Sequence, residues 1–221
     1  MPPMSIIACG ALAREIQALI VANGWHDLHL ECLPADLHNH PERIPEAVAE
    51  RVARRPADHT TFVAYADCGT GGRLDAVLAP YGVERLPGAH CYDTFAGESA
   101  MAALAEQEPG TFYLTDFLVR HFDRLVIREL GIDRHPQLAA CYFGHYRRLV
   151  YLSQRDDTAL EQAARSAAER LGLEYHYRHT GYGALETSLI RLVESSSGAS
   201  PSDASSPVSS FTNRESTAWP C

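Results

Sequence analysis

Short apolar runs alternate along the chain with stretches in which apolar residues recur every three or four positions. Ser5 to Cys9 is a continuous run of buried-strand type, and from Gly10 onward Ala11, Leu12, Ile16, Leu19 and Ile20 fall at helical spacing. The same alternation continues with a strand over Leu28 to Leu33, a Pro- and His-containing loop from Pro34 to Pro41, and a helix through Ile44, Val48 and Val52. The β-branched and aromatic run Thr60 to Ala66 reads as a central strand ending directly in Asp67-Cys68-Gly69-Thr70-Gly71-Gly72, with a helix from about Arg73 to Pro80. Further strands are expected at Val83 to Leu86, Gly110 to Leu114, Arg148 to Leu152 and Leu173 to Tyr177. The intervening helices fall near Phe95 to Ala105, from Asp116 through Leu130, near Pro136 to Phe143, and at Thr158 to Leu171.

Strands alternating with helices predict an α/β fold: a mainly parallel, doubly wound, Rossmann-like sheet with helices on both faces. Residues 1–194 are read as a single domain, because no linker divides them and 46% hydrophobic content supports one substantial core. The remainder, 195–221, is Ser/Pro-rich and too poor in apolar residues to offset the entropy of ordering, so a disordered tail is expected there.

Charge narrows the partners. A net charge of -9, with 28 acidic against 19 basic residues and no basic block, argues against a nucleic-acid partner. No apolar run approaches the roughly 18 residues of a membrane span, and the opening segment lacks the features of a secretory signal. A cytoplasmic location follows as the expectation. In that reducing compartment the six cysteines read as thiols, ligands or core residues rather than disulfides.

Three cysteines occupy the place where open parallel sheets collect ligands, beyond the carboxyl ends of the strands. Cys9 closes the first strand, Cys68 follows the third, and Cys91 comes after the fourth, beside His90. Helix N-termini at such positions favour thiolate, the form that binds metals and attacks electrophiles. Zinc takes Cys and His ligands and turns catalytic when three protein ligands leave one position open, so Cys9, Cys68 and Cys91 are candidate metal ligands, with His90 as a fourth ligand or a supporting group. The spacings lack CxxC pairs, and buried structural cysteines are the competing reading. A third reading makes Cys68 a metal-free nucleophile with His90 as base.

Other groups carry weaker signals. Gly69, Gly71 and Gly72 could present backbone N–H groups to an anion, although the turn matches no phosphate-loop pattern and a tight turn is the simpler account. His38 and His40 have a chelating spacing that solvated loop histidines also explain. Asp116 could position a substrate, against a helix-capping role shared with Thr115. Arg120, His121 and Arg124 read as solvated surface charge, Arg147 and Arg148 as either a site for an acidic group or surface charge, and Gly181-Tyr182-Gly183 as a flexible turn.

The segments Ile7-Ala8-Cys9-Gly10-Ala11-Leu12, Leu37-His38-Asn39 with Pro41-Glu42, Tyr65 to Gly72, Leu86 to Tyr92 and Pro109 to Thr115 together resemble a bacterial and archaeal family, domain of unknown function 1638 (DUF1638). The resemblance runs from about Ser5 to about Leu192. It implies that the cysteines at Cys9, Cys68 and Cys91 recur, whereas Cys32, Cys141, Cys221 and His40 match less clearly. It also implies a gene neighbourhood of corrinoid-dependent methyltransferases and corrinoid proteins that demethylate methylamines or betaines. The combined expectation is a zinc-binding enzyme or accessory protein in corrinoid-linked one-carbon metabolism, with a small-molecule substrate and a corrinoid protein or methyltransferase as partner. A non-catalytic docking or chaperone protein is the alternative, and a homodimer is the base-rate expectation.

Overall fold

The computed structural model describes residues 3–56 and 58–197. All seven expected strands form: β1 (Met4–Cys9), β2 (Leu28–Leu33), β3 (Thr60–Ala64), β4 (Glu84–Arg85), β5 (Thr111–Thr115), β6 (Arg148–Ser153) and β7 (Glu174–His179). Their pairings are all parallel, as the alternating pattern requires. They divide into two sheets, with orders β2-β1-β3-β4 and β5-β6-β7. The first sheet is set by the register Met4 with Leu28 and Thr60, the second by Thr111 with Arg148 and Arg148 with Glu174.

The helices are α1 (Ala13–Asn23), α2 (Ile44–Ala53), α3 (Arg73–Leu78), α4 (Cys91–Ala96), α5 (Glu98–Gln107), α6 (Asp116–Arg120), α7 (Leu138–Phe143), α8 (Thr158–Leu171) and α9 (Gly183–Ser197). Where the pattern predicted one helix over Phe95 to Ala105, Gly97 at φ +84° divides two. The helix expected from Asp116 is likewise short, and a π-helical turn at Asp123–Arg128 follows it. The Pro/His loop is built of two 3₁₀ turns, Ala35–Asn39 and Pro41–Arg43.

One apolar core runs through both sheets: Ile6, Val63 and Leu74 belong to it on one side and Leu114, Leu149 and Tyr151 on the other. Helix α9, which the apolar pattern did not signal, ties the two together. It follows β7 in the second sheet yet packs against α1, α4 and β3 of the first half, burying Leu185 and Leu189 completely. Ser195 to Ser197, assigned to the tail, belong to this helix, and residues 198–221 of the expected tail lie outside the described residues. Cys9, Cys68, Cys91 and Cys141 are free thiols, whereas Cys32 departs from the all-thiol expectation and is disulfide-bonded.

Candidate thiol site at the carboxyl edge

The carboxyl ends of β1, β3 and β4 bring the three sequence-predicted cysteines together. Past β3 and β4 the two chains stay paired, with Asp67 N–H donating to the Gly88 carbonyl (3.1 Å) and Cys68 N–H to the Ala89 carbonyl (2.7 Å). That pairing sets Cys68 against the start of α4, where the Cys91 N–H points to the Cys68 sulfur. Cys9 arrives from the neighbouring β1, and Gly10 lets the chain leave at once. A Cβ at Gly10 would stand 2.9 Å from the Leu33 carbonyl oxygen and 3.2 Å from Ala35, so the close passage of the β1 and β2 exits excludes a side chain there.

Burial governs the state of these thiols. It raises the Cys9 thiol, against hydrogen bonding from the Ala11 N–H and with a further push from Glu15. Cys68 is pushed up to about 12, by burial first and by Cys9 second. Cys91 is raised well above its ordinary value by burial, then by Cys68 and Cys9. Cys9 thus acts on both other thiols and Cys68 on Cys91, and none of the strongest influences on any of them is a cation. Among the described residues, no group of three or more Cys, His, Asp or Glu side chains is placed to hold a metal ion. Thiolate is the donor type that soft-tolerant ions such as zinc take.

Cys68 also holds a left-handed backbone, φ +49°, the only non-glycine residue among those described to do so. Such a conformation costs of order 1 kcal/mol or more and persists where surrounding structure enforces it. Here the enforcing structure is Asp67. Its carboxylate accepts from the Gly72 N–H (2.8 Å), the Gly71 N–H (3.0 Å) and the Thr70 hydroxyl (2.7 Å). These donors lower its pKa to about 2, Gly72 contributing most. The N–H groups of Gly71 and Gly72, read as anion donors, are thus already engaged by the chain's own carboxylate, and the turn serves to aim Cys68.

His90 is the exposed residue before α4, its N–H bound to Asp93 Oδ2 (2.8 Å), and its ring lies near Tyr92. The His38 and His40 pair splits. His38 is lowered by burial and by His90 beside it, placing it toward the thiol edge, while His40 turns to Glu42 (3.5 Å) and Glu129 (4.0 Å). Tyr65, missed in the sequence, is fully buried next to Cys9; its hydroxyl acts on that sulfur without closing a hydrogen bond of full geometry.

Asp116 lies elsewhere, at the carboxyl end of β5, and is 0% exposed. Thr115 is the capping residue, accepting from Leu118 N–H, whereas Asp116 Oδ1 accepts from the Tyr151 hydroxyl (2.7 Å) and the Gln154 N–H (3.0 Å). Arg120, expected at the surface, is 14% exposed and faces Asp116 and Glu15. Arg148 likewise holds structure together, donating to Thr111 Oγ1 and the Leu104 carbonyl.

A family model described as a protein of unknown function (DUF1638) matches residues 32–189. The chain belongs to the DUF1638 family. Cys68 and Cys91 fall inside the matched span, and Cys9, which the resemblance placed within it, falls before it. No curated protein and no solved structure matches.

Proposed function

We propose that this DUF1638 chain works through a metal ion held by Cys9, Cys68 and Cys91, zinc first among the soft-tolerant ions, as an enzyme or accessory protein in corrinoid-linked methyl metabolism. One observation supports the metal reading: Cys9, Cys68 and Cys91 come to the carboxyl ends of neighbouring parallel strands, where burial opposes thiolate in each and no cation counters it. A divalent cation would reverse that balance, because a coordinated thiol is deprotonated outright. Bound there, zinc would supply Lewis-acid activation of a thiol or other weak nucleophile. The chain's own residues contribute the rest: the Asp67 turn fixes the Cys68 backbone, and the Cys91 N–H steadies its sulfur. The corrinoid context comes from the family resemblance alone.

A metal-free thiol enzyme is the second reading, favoured by the left-handed Cys68 at a strand-to-helix turn. Against it, burial and Cys9 push the Cys68 thiol up to about 12, which disfavours the nucleophilic thiolate at neutral pH. Metal analysis of untagged protein, comparing the parent with a variant carrying Cys9→Ser, Cys68→Ser and Cys91→Ser, decides between them. The expected result is about one equivalent of zinc in the parent and almost none in a folded variant. Equal metal in both, or none in the parent, overturns the metal reading. In that case rapid alkylation of Cys68 at pH 7 would select the thiol enzyme, and its absence the docking protein.

A further inference from the structure

We infer that β7 is the contact between two copies of this chain, pairing antiparallel with the β7 of a second copy about a twofold axis at His176 and joining their second sheets into one. β7 is the last strand in the order β5-β6-β7, and among the described residues no strand pairs with its outer side. Its sequence, Glu174-Tyr175-His176-Tyr177-Arg178-His179, holds neither Lys nor Pro, the residues with which natural sheets blunt such an edge. Tyr177, Arg178 and His179 are exposed, Tyr177 to 43%.

The phase of the existing ladder decides what this edge offers. Along a strand, successive residues turn their backbone N–H and C=O groups to opposite sides. Glu174 N–H donates to the Arg147 carbonyl (3.0 Å) and, past the far end, Thr180 N–H donates to the Ser153 carbonyl (2.8 Å), so the even-numbered residues face β6. Tyr175, Tyr177 and His179 therefore direct their backbone groups outward. An antiparallel neighbour of the same sequence must set these odd-numbered residues opposite one another, which leaves only every second register open.

One of those registers makes the edge complementary to itself. With His176 opposite its own copy, Tyr175 of each chain faces Tyr177 of the other and exchanges both backbone hydrogen bonds with it. Glu174 then faces Arg178 in the closer, non-hydrogen-bonded pairing, with Cα atoms about 4.5 Å apart. Twofold symmetry makes each of these pairs twice. Moving the axis to Tyr177 would set His176 against Arg178, and moving it to Tyr175 would leave Arg178 opposite Gly172, beyond the strand. In a chain of net charge -9, this edge carries one carboxylate and one guanidinium, so two copies can meet here without the repulsion of their acidic surfaces. Glu174, its side chain 74% exposed, touches His176 Nε2 of its own strand (3.0 Å) and remains open to the arginine of a second copy. The tyrosine rings are held from within, Tyr175 under the Arg165 guanidinium (4.4 Å) and Tyr177 against Tyr151 (5.8 Å), so little is left to order on pairing.

Sedimentation velocity and light scattering of the full chain, over a wide concentration range, test this pairing. The parent is expected to form a dimer. Glu174→Arg and Arg178→Glu, both exposed changes, should each weaken self-association about tenfold or more, because like charges then oppose at both symmetric pairs. An equimolar mixture of the two variants should recover the dimer, since position 174 of each then meets an opposite charge at position 178 of the other. That recovery also shows both variants to be folded. A parent that stays monomeric, single variants that dimerise as the parent does, or a mixture of circular-dichroism-verified folded variants that stays monomeric would each overturn the β7 contact.

Discussion

Asp67 bends its carboxylate back onto its own turn, and its acidity reports on that turn. The group's pKa lies near 2 in the fold against an ordinary 3.8, so the stabilisation it gives is fully present above the ordinary value and disappears as pH falls through about 2. Asp67→Asn, which keeps the shape and removes the charge, is expected to lower the melting temperature most at pH 6. The gap to the parent should narrow on acidification from about pH 4 to about pH 2, read by thermal denaturation across that range. A constant gap would mean that shape rather than charge holds the turn. The cysteines were legible in the sequence because strand ends can be read from apolar runs. Asp67, Glu15 and Arg120 were not, since only the folded chain shows that a turn's glycines are aimed at one carboxylate and that a helical arginine faces inward.

Elements with strong periodicity came through at nearly their full length: β2 at Leu28–Leu33 and α8 at Thr158–Leu171 coincide with their apolar patterns. Helix α9 escaped because Gly183 and a serine-rich end interrupt its signal, yet that glycine is what permits its docking. At φ +51°, a Cβ on Gly183 would stand 2.3 Å from the Phe95 carbonyl oxygen and 2.6 Å from that of Thr94. Both are backbone atoms of α4, unable to step aside as a side chain could. Gly183→Ala should therefore destabilise the fold by about 2–3 kcal/mol, through the overlap and the left-handed backbone together. Urea denaturation measures it, and a loss below about 0.5 kcal/mol, the usual range of a surface change, would show that α9 does not pack tightly on α4.

At the scale of the whole molecule, the two sheets share no strand pairing, and what joins them is apolar packing together with α9. The thiol edge belongs to the first sheet and the Asp116 cluster largely to the second, so any chemistry linking them depends on that joint. Leu189 tests it, being fully buried on α9 far along the chain from β1 and β3. Leu189→Ala should cost about 3 kcal/mol by lost burial and the cavity left behind. If the core is one cooperative unit, amide exchange in β1 and in β6 should accelerate by a similar factor, because both strands open only with the whole. Acceleration confined to β1, with β6 as protected as before, would make the second sheet a separate unit. The ion-paired cluster of Glu15 on α1 with Asp116, Arg120 and Arg155 around β5 and β6 would then hold its geometry only while α9 keeps the halves together.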